Sequence, residues 1–122
     1  MTNSSQNAFS GDDTRLRLSR VLKCLVKMRS ASDPDAMHTT AICNHMRISP
    51  PTLKKLLSGD VGKVEHLMAL THYLAVKNHE VFLIAESYTS NEDLTYRVSS
   101  LIQKSVPGAS KLRVSHVQRR LA

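Results

Sequence analysis

The chain has 122 residues, of which 41% are hydrophobic and 22% charged, as in one globular domain with tails and unlike a disordered chain. Seventeen Lys and Arg against ten Asp and Glu give a formal charge of +7, which favours a polyanionic partner. No apolar run is long enough for a membrane span, and two cysteines, Cys24 and Cys43, are too few for a disulfide scaffold. We therefore expect a cytoplasmic protein with both thiols reduced and buried.

The charge is arranged in blocks along the chain. The polar start lacks the apolar stretch of a signal peptide and predicts a flexible N-terminal arm over residues 1–13. Residues 15–29 and 39–59 contain bases and no acid, whereas residues 79–94 contain acids and no Lys or Arg. The tail from residue 111 is basic again. The positive charge is therefore concentrated in separate segments.

Helical periodicity extends over most of the chain. Apolar residues at intervals of three and four predict a first helix over residues 14–30, ended by a turn at 33–34. A second set with this spacing predicts a helix near residues 64–75 and comprises Val64, Leu67, Met68, Thr71, Leu74 and Ala75. Residues 81–85 fit either a buried strand or a buried helical turn. The predicted class is all-α, with at most that one short strand.

Two further helices are predicted after residue 85. Ser90 and Asp93 form a capping-box pattern, in which a hydroxyl and an acid lie three residues apart. They precede a helix with an apolar stripe made of Leu94, Val98, Leu101 and Ile102. A last short helix is predicted within residues 112–121.

The segment 39–59 has the spacing of two short helices joined by a tight turn. Thr39 or Thr40 is expected to cap the first helix, and Ser49 followed by Pro50 predicts the start of the second. The residues expected on the inner face are Ile42, Cys43, Met46, Ile48, Leu53 and Leu56. The residues expected to face outward from the second helix are Pro50, Pro51, Thr52, Lys54, Lys55 and Ser58.

This segment resembles the helix-turn-helix of the lambda-repressor and Cro superfamily of phage and bacterial regulators. The resemblance covers about residues 14–76, and Arg47 occupies the turn position at which that family usually carries Gly. It implies a lambda-repressor-like helical domain over 14–76. It further implies a transcriptional regulator in the bacterial cytoplasm or nucleoid that binds specific sequences of double-stranded DNA.

By this resemblance residues 49–58 would lie in the major groove. Thr52, Lys54 and Lys55 are predicted to contact bases or phosphates, and Arg47 the DNA backbone. The full set of predicted DNA-binding residues is Thr39, Thr40, Arg47, Ser49, Pro51, Thr52, Lys54, Lys55 and Ser58. No cofactor is implied.

Residues 77–122 are predicted to be a C-terminal oligomerisation extension with a basic tail, and the active form a homodimer. One recognition helix contacts only a few base pairs. Regulators of this size therefore commonly form two-fold symmetric dimers, in which two recognition helices bind two half-sites. The stripe within residues 94–102 fits a helix–helix seam between subunits, although such residues can instead complete the core of a monomer. A protein partner could also bind through residues 77–105.

Two functions other than DNA binding by a repressor-like helix pair fit parts of the sequence. One alternative is a helical protein-binding adaptor or antitoxin-like module, and another is a winged-helix regulator, which the helical pattern after residue 63 disfavours. His38, Cys43 and His45 match no common zinc pattern, and no catalytic constellation is present, so neither a metal site nor an enzyme is expected. The basic helix over 14–30 could lie on a membrane, but it carries no Trp or Phe, so a core role is favoured.

Overall fold

A computed structural model of the chain describes residues 11–105, which form six α-helices joined by short turns. The helices are α1 (Gly11–Ser32), α2 (Thr39–Met46), α3 (Pro50–Leu57), α4 (Val64–Tyr73), α5 (Asn78–Ser87) and α6 (Asn91–Ser105). Residues 11–105 contain no strand, so the all-α class is confirmed for this range. No helix within it is both long and apolar enough to cross a bilayer.

Several predicted boundaries differ from the structure. Helix α1 begins at Gly11, three residues earlier than predicted, so residues 11–13 are helical rather than part of an arm. The strand considered for residues 81–85 is wrong, because these residues lie inside α5. The predicted arm over residues 1–10 and the predicted helix and basic tail near the C-terminus lie outside the described residues.

Helix α1 is the central element of the core. It contacts α3, α5 and α6, and its residues Val21, Leu22 and Leu25 are completely buried. The predicted seam on α6 is part of the same core, since Leu94, Val98 and Leu101 are buried within the monomer. This stripe completes the monomer core, and its three buried residues are not available to a second subunit.

Helix α4 buries a narrower face than its sequence predicts. Leu67, Leu70 and Thr71 are buried, whereas Val64 and Met68 are 59% and 52% exposed. Helix α4 contacts α2 and α5, which cover one side of it. The sequence pattern gives a wide apolar stripe, and the neighbouring helices leave one edge of that stripe in solvent.

Three polar side chains of α1 hydrogen-bond to the C-terminal ends of three other helices. Ser19 bonds at the end of α3, Arg29 at the end of α4 and Arg17 at the end of α5. The acceptors are the carbonyl oxygens of Leu57 (2.7 Å), Leu74 (3.0 Å), Ala85 (2.6 Å) and Tyr88 (2.6 Å). The last carbonyl groups of a helix lack intrahelical partners, and cations are favourable there. These two arginines therefore help to hold the helices together.

Candidate nucleic-acid interface

Helices α2 and α3 form a compact pair joined by residues 47–49. Four of the predicted inner-face residues are buried in the core: Ile42, Cys43, Leu53 and Leu56. The other two, Met46 and Ile48, are half-buried against it. The predicted inner face of this pair is therefore confirmed. Burial of one side of both helices fixes which side of each helix faces solvent.

The chain reverses at Arg47, which has a left-handed backbone with φ 59° and ψ 49°. This is the conformation that Gly, the usual residue at this turn position in the repressor family, adopts without strain. The Ile48 amide donates to the Cys43 carbonyl at 3.1 Å, which closes the end of α2. The left-handed residue thus redirects the chain into α3, and its side chain is exposed.

Ser49 caps α3 as predicted, and Pro50 is the first residue of that helix. The Ser49 Oγ accepts a hydrogen bond from the Thr52 amide at 3.3 Å and lies 2.9 Å from Thr52 Oγ1. At the other end of α3, Ser58 Oγ donates to the Lys55 carbonyl at 2.6 Å. The hydroxyls of Ser49 and Ser58 are therefore engaged in closing the two ends of α3.

The start of α2 differs from the prediction. His38 is its N-cap, without a side-chain capping bond, and Thr39 is its first residue. The expectation that Thr39 or Thr40 caps α2 is therefore wrong, because the helix begins one residue earlier than a threonine cap requires. Both threonines are exposed in the first turn.

Eight of the nine predicted DNA-binding residues are exposed, and Thr52 is half-buried. Thr39 of α2 lines one open groove of about 570 Å³ together with Pro51 and Lys54 of α3. Lys55 and Ser58 do not line this groove. The structure thus brings the start of α2 close to one side of α3.

The end of α3 lies against α1, through two residues whose roles the sequence did not predict. Gly59 has φ +90°, and a Cβ built on it would lie 2.1 Å from the Arg15 carbonyl oxygen. The hydroxyl of Ser19, a buried polar residue, donates to the Leu57 carbonyl at 2.7 Å. A close approach between two helices that are distant in sequence leaves no local signal.

His45 and Cys43 of this region make packing contacts. The His45 ring lies 4.6 Å from that of Tyr73, whose hydroxyl donates to the Ala36 carbonyl at 2.6 Å. Cys43 is buried as expected, whereas Cys24 is half-buried, and burial raises the pKa of the Cys24 thiol. Between residues 11 and 105 no group of three His, Cys, Asp or Glu is arranged to hold a metal ion.

Comparisons with known proteins found no relative of this chain. No family model matches it, and no curated protein or solved structure is detectably similar to it. The resemblance of residues 14–76 to repressors therefore rests on the motif itself.

Proposed function

We propose that this protein is a sequence-specific double-stranded DNA-binding regulator of transcription, of phage or bacterial type. In this proposal α2 and α3 are a lambda-repressor-like helix-turn-helix, and α3 enters the major groove. One observation carries the proposal. The inner residues of α3 are buried in the core, while its outer face presents Lys54 and Lys55 in a segment, 39–59, that contains no acid.

The chemistry of the outer face suits a DNA groove. The ammonium groups of Lys54 and Lys55 can bind phosphates or guanine acceptors, and Thr52 can read a base edge. The guanidinium of Arg47, exposed in the turn, is suited to a backbone phosphate. Because the hydroxyls of Ser49 and Ser58 bond to main-chain groups of α3, we assign these two residues a positioning role. The Thr52 hydroxyl lies 2.9 Å from Ser49 Oγ and, as both donor and acceptor, keeps a further hydrogen bond for a base edge.

We also propose that the regulator is a homodimer, through the outer face of α5 and α6. Two large apolar side chains are exposed there: Leu83 (58%) and Tyr96 (71%). Leu83 and Tyr96 line one shallow groove between the two helices. A two-fold axis through this face would present two copies of α3 to two half-sites.

The same exposed face supports the alternative function, a helical adaptor or antitoxin-like module. An adaptor would use these apolar residues to bind a different protein and would have no need for duplex DNA. The two functions therefore differ in whether the purified chain binds duplex DNA with a steep dependence on salt.

The test is a titration of the full chain with duplexes selected from a random pool, at several salt concentrations. Lys54→Ala/Lys55→Ala should weaken binding and lower the log–log salt slope by about 1.8, at roughly 0.9 per lost phosphate contact. Its thermal midpoint should remain nearly unchanged, since both side chains are exposed. Thr52→Ala should alter sequence preference more than overall affinity.

The matched control is Lys77→Glu, which changes the net charge by the same two units at one exposed position, outside α3 and outside the groove of Leu83 and Tyr96. This control should bind DNA nearly as the wild type does. If the Lys54/Lys55 variant binds as tightly as the control, α3 is not the recognition helix. If the wild-type chain does not bind duplex DNA at all, the adaptor function is favoured instead.

A further inference from the structure

The outer face of α1 carries a row of cations that the helix pair does not include. Arg20, Lys23 and Lys27 are all exposed, and their spacing of three and four residues puts them on one face of the helix. We call these three residues the α1 basic ridge. The other two arginines described above, Arg17 and Arg29, are tied to helix ends and do not belong to it.

The basic ridge is not neutralised within the described part of the chain. Residues 14–32 contain no acid, and no ion pair joins Lys23 or Lys27 to a carboxylate of residues 11–105. Arg20 makes one long hydrogen bond, 3.4 Å, to the hydroxyl of Tyr88. Like charges three and four residues apart destabilise a helix, so this ridge is unfavourable by itself and favourable beside a polyanion.

The basic ridge adjoins the end of α3. Gly59 approaches the backbone of Arg15, and the Leu57 carbonyl accepts the hydrogen bond of Ser19. Residue numbers thus rise along α1 as they fall along the end of α3, so the two segments are antiparallel here. Lys23 lies one turn beyond Ser19 on α1, and Lys54 lies one turn before Leu57 on α3. Residues one turn apart on a helix are neighbours. Lys23 therefore follows Arg15 and Ser19, at intervals of four residues, on the side of α1 that faces the end of α3.

We propose that the α1 basic ridge binds the phosphate backbone of the DNA duplex whose major groove receives α3. This inference rests on the proposed function and adds a second contact surface to it. Ammonium and guanidinium groups on a convex helix face suit a row of phosphates, which carry no sequence information. The ridge would therefore strengthen binding to every duplex and would not choose among sequences.

The experiment compares Lys23→Ala/Lys27→Ala with the wild type and with the Lys77→Glu control, on a selected and a scrambled duplex. With a slope of about 0.9 per contact, each lost lysine should lower affinity about eightfold at 0.1 M salt, if the contact vanishes near 1 M. The salt slope should fall by about 1.8, and the preference for the selected duplex should be unchanged. Equal thermal midpoints of the two variants will show that the fold is retained.

The outcomes separate this inference from the proposed function. If the Lys23/Lys27 variant matches the control while the Lys54/Lys55 variant loses DNA binding, the ridge proposal is wrong and the function stands. If the wild type does not bind duplex DNA, both are wrong. Vesicles containing an anionic phospholipid provide a further arm. Vesicle binding that requires Lys23 and Lys27, with DNA binding unaffected by their loss, would overturn the proposal in favour of a membrane surface.

Discussion

Replacing Gly59 by alanine probes the contact that positions α3 against α1. At Gly59 the backbone has φ +90°, and an added Cβ would lie 2.1 Å from the Arg15 carbonyl oxygen and 2.8 Å from its carbonyl carbon. These atoms belong to the backbone of α1, so no side-chain rotation relieves the clash. Either α1 or the end of α3 must move.

Two effects set the magnitude. A non-glycine residue in a left-handed backbone costs about 1 kcal/mol. Overpacking in a closely packed contact costs about 1–3 kcal/mol more. Gly59→Ala should therefore lower the free energy of unfolding by about 2–4 kcal/mol, which for a domain of this size lowers the thermal midpoint by about 10–30 °C.

Gly62→Ala is the matched control for this prediction. Gly62 has φ +41°, and nothing lies within 4 Å of its built Cβ, so only the backbone effect of about 1 kcal/mol is expected. Thermal unfolding followed by circular dichroism, together with equilibrium urea unfolding, measures both variants. If the two variants lose the same stability, the close approach of α3 to α1 is not present in the protein and the reasoning fails.

Three further predictions follow from single features of the fold. Arg47→Gly should leave stability unchanged or raise it by up to about 1 kcal/mol, because Gly adopts the observed φ without strain, while DNA affinity in a binding titration should fall. A loss of stability well above that value would contradict the left-handed turn. The Thr89 amide donates to Asp93 and, with Arg97, holds the pKa of that carboxyl below its ordinary value. The stabilisation from this lowered pKa is present above the ordinary pKa, near 4, and is lost as pH falls through the lowered value. Asp93→Asn should therefore lower the thermal midpoint at pH 7, and this difference from the wild type should shrink as the pH is lowered below the ordinary pKa. Sedimentation should show the wild type as a dimer at micromolar concentration and Leu83→Lys as a folded monomer, and a wild-type monomer would exclude the proposed dimer.

Much of the helix pair is predictable from the sequence because its signals are local. Each of these signals spans only a few residues: the hydroxyl of Ser49, the proline after it and the apolar spacing over residues 42–56. The same holds for Ser90, whose Oγ accepts from the Asp93 amide at 3.0 Å as the capping pattern predicted. Local hydrogen bonds and side-chain periodicity act over one or two helical turns, so a sequence alone contains them.

Two features of the fold could not be predicted from the local sequence pattern: the conformation of residues 81–85 and the packing partner of α6. Residues 81–85 are apolar throughout, so their period does not separate strand from helix; the buried face of α5 is set by Val81, Ile84 and Ala85 against its neighbours. The apolar stripe of α6 likewise does not indicate whether it packs within the monomer or against a second subunit. Its burial in the monomer core follows from contact with α1, some seventy residues away in sequence.

Local sequence signals specify the helical class, the start of α3, the capping of α6 and the placement of positive charge. They did not determine which bases of α1 are available to a ligand, since Arg17 and Lys23 are the same in charge and lie in the same helix. Tertiary contacts decided this: Arg17 is bound to the end of α5, whereas Lys23 faces solvent. Helix-end carbonyls and exposed surfaces exist only after distant segments have packed together, and so the role of each cation is fixed by the fold.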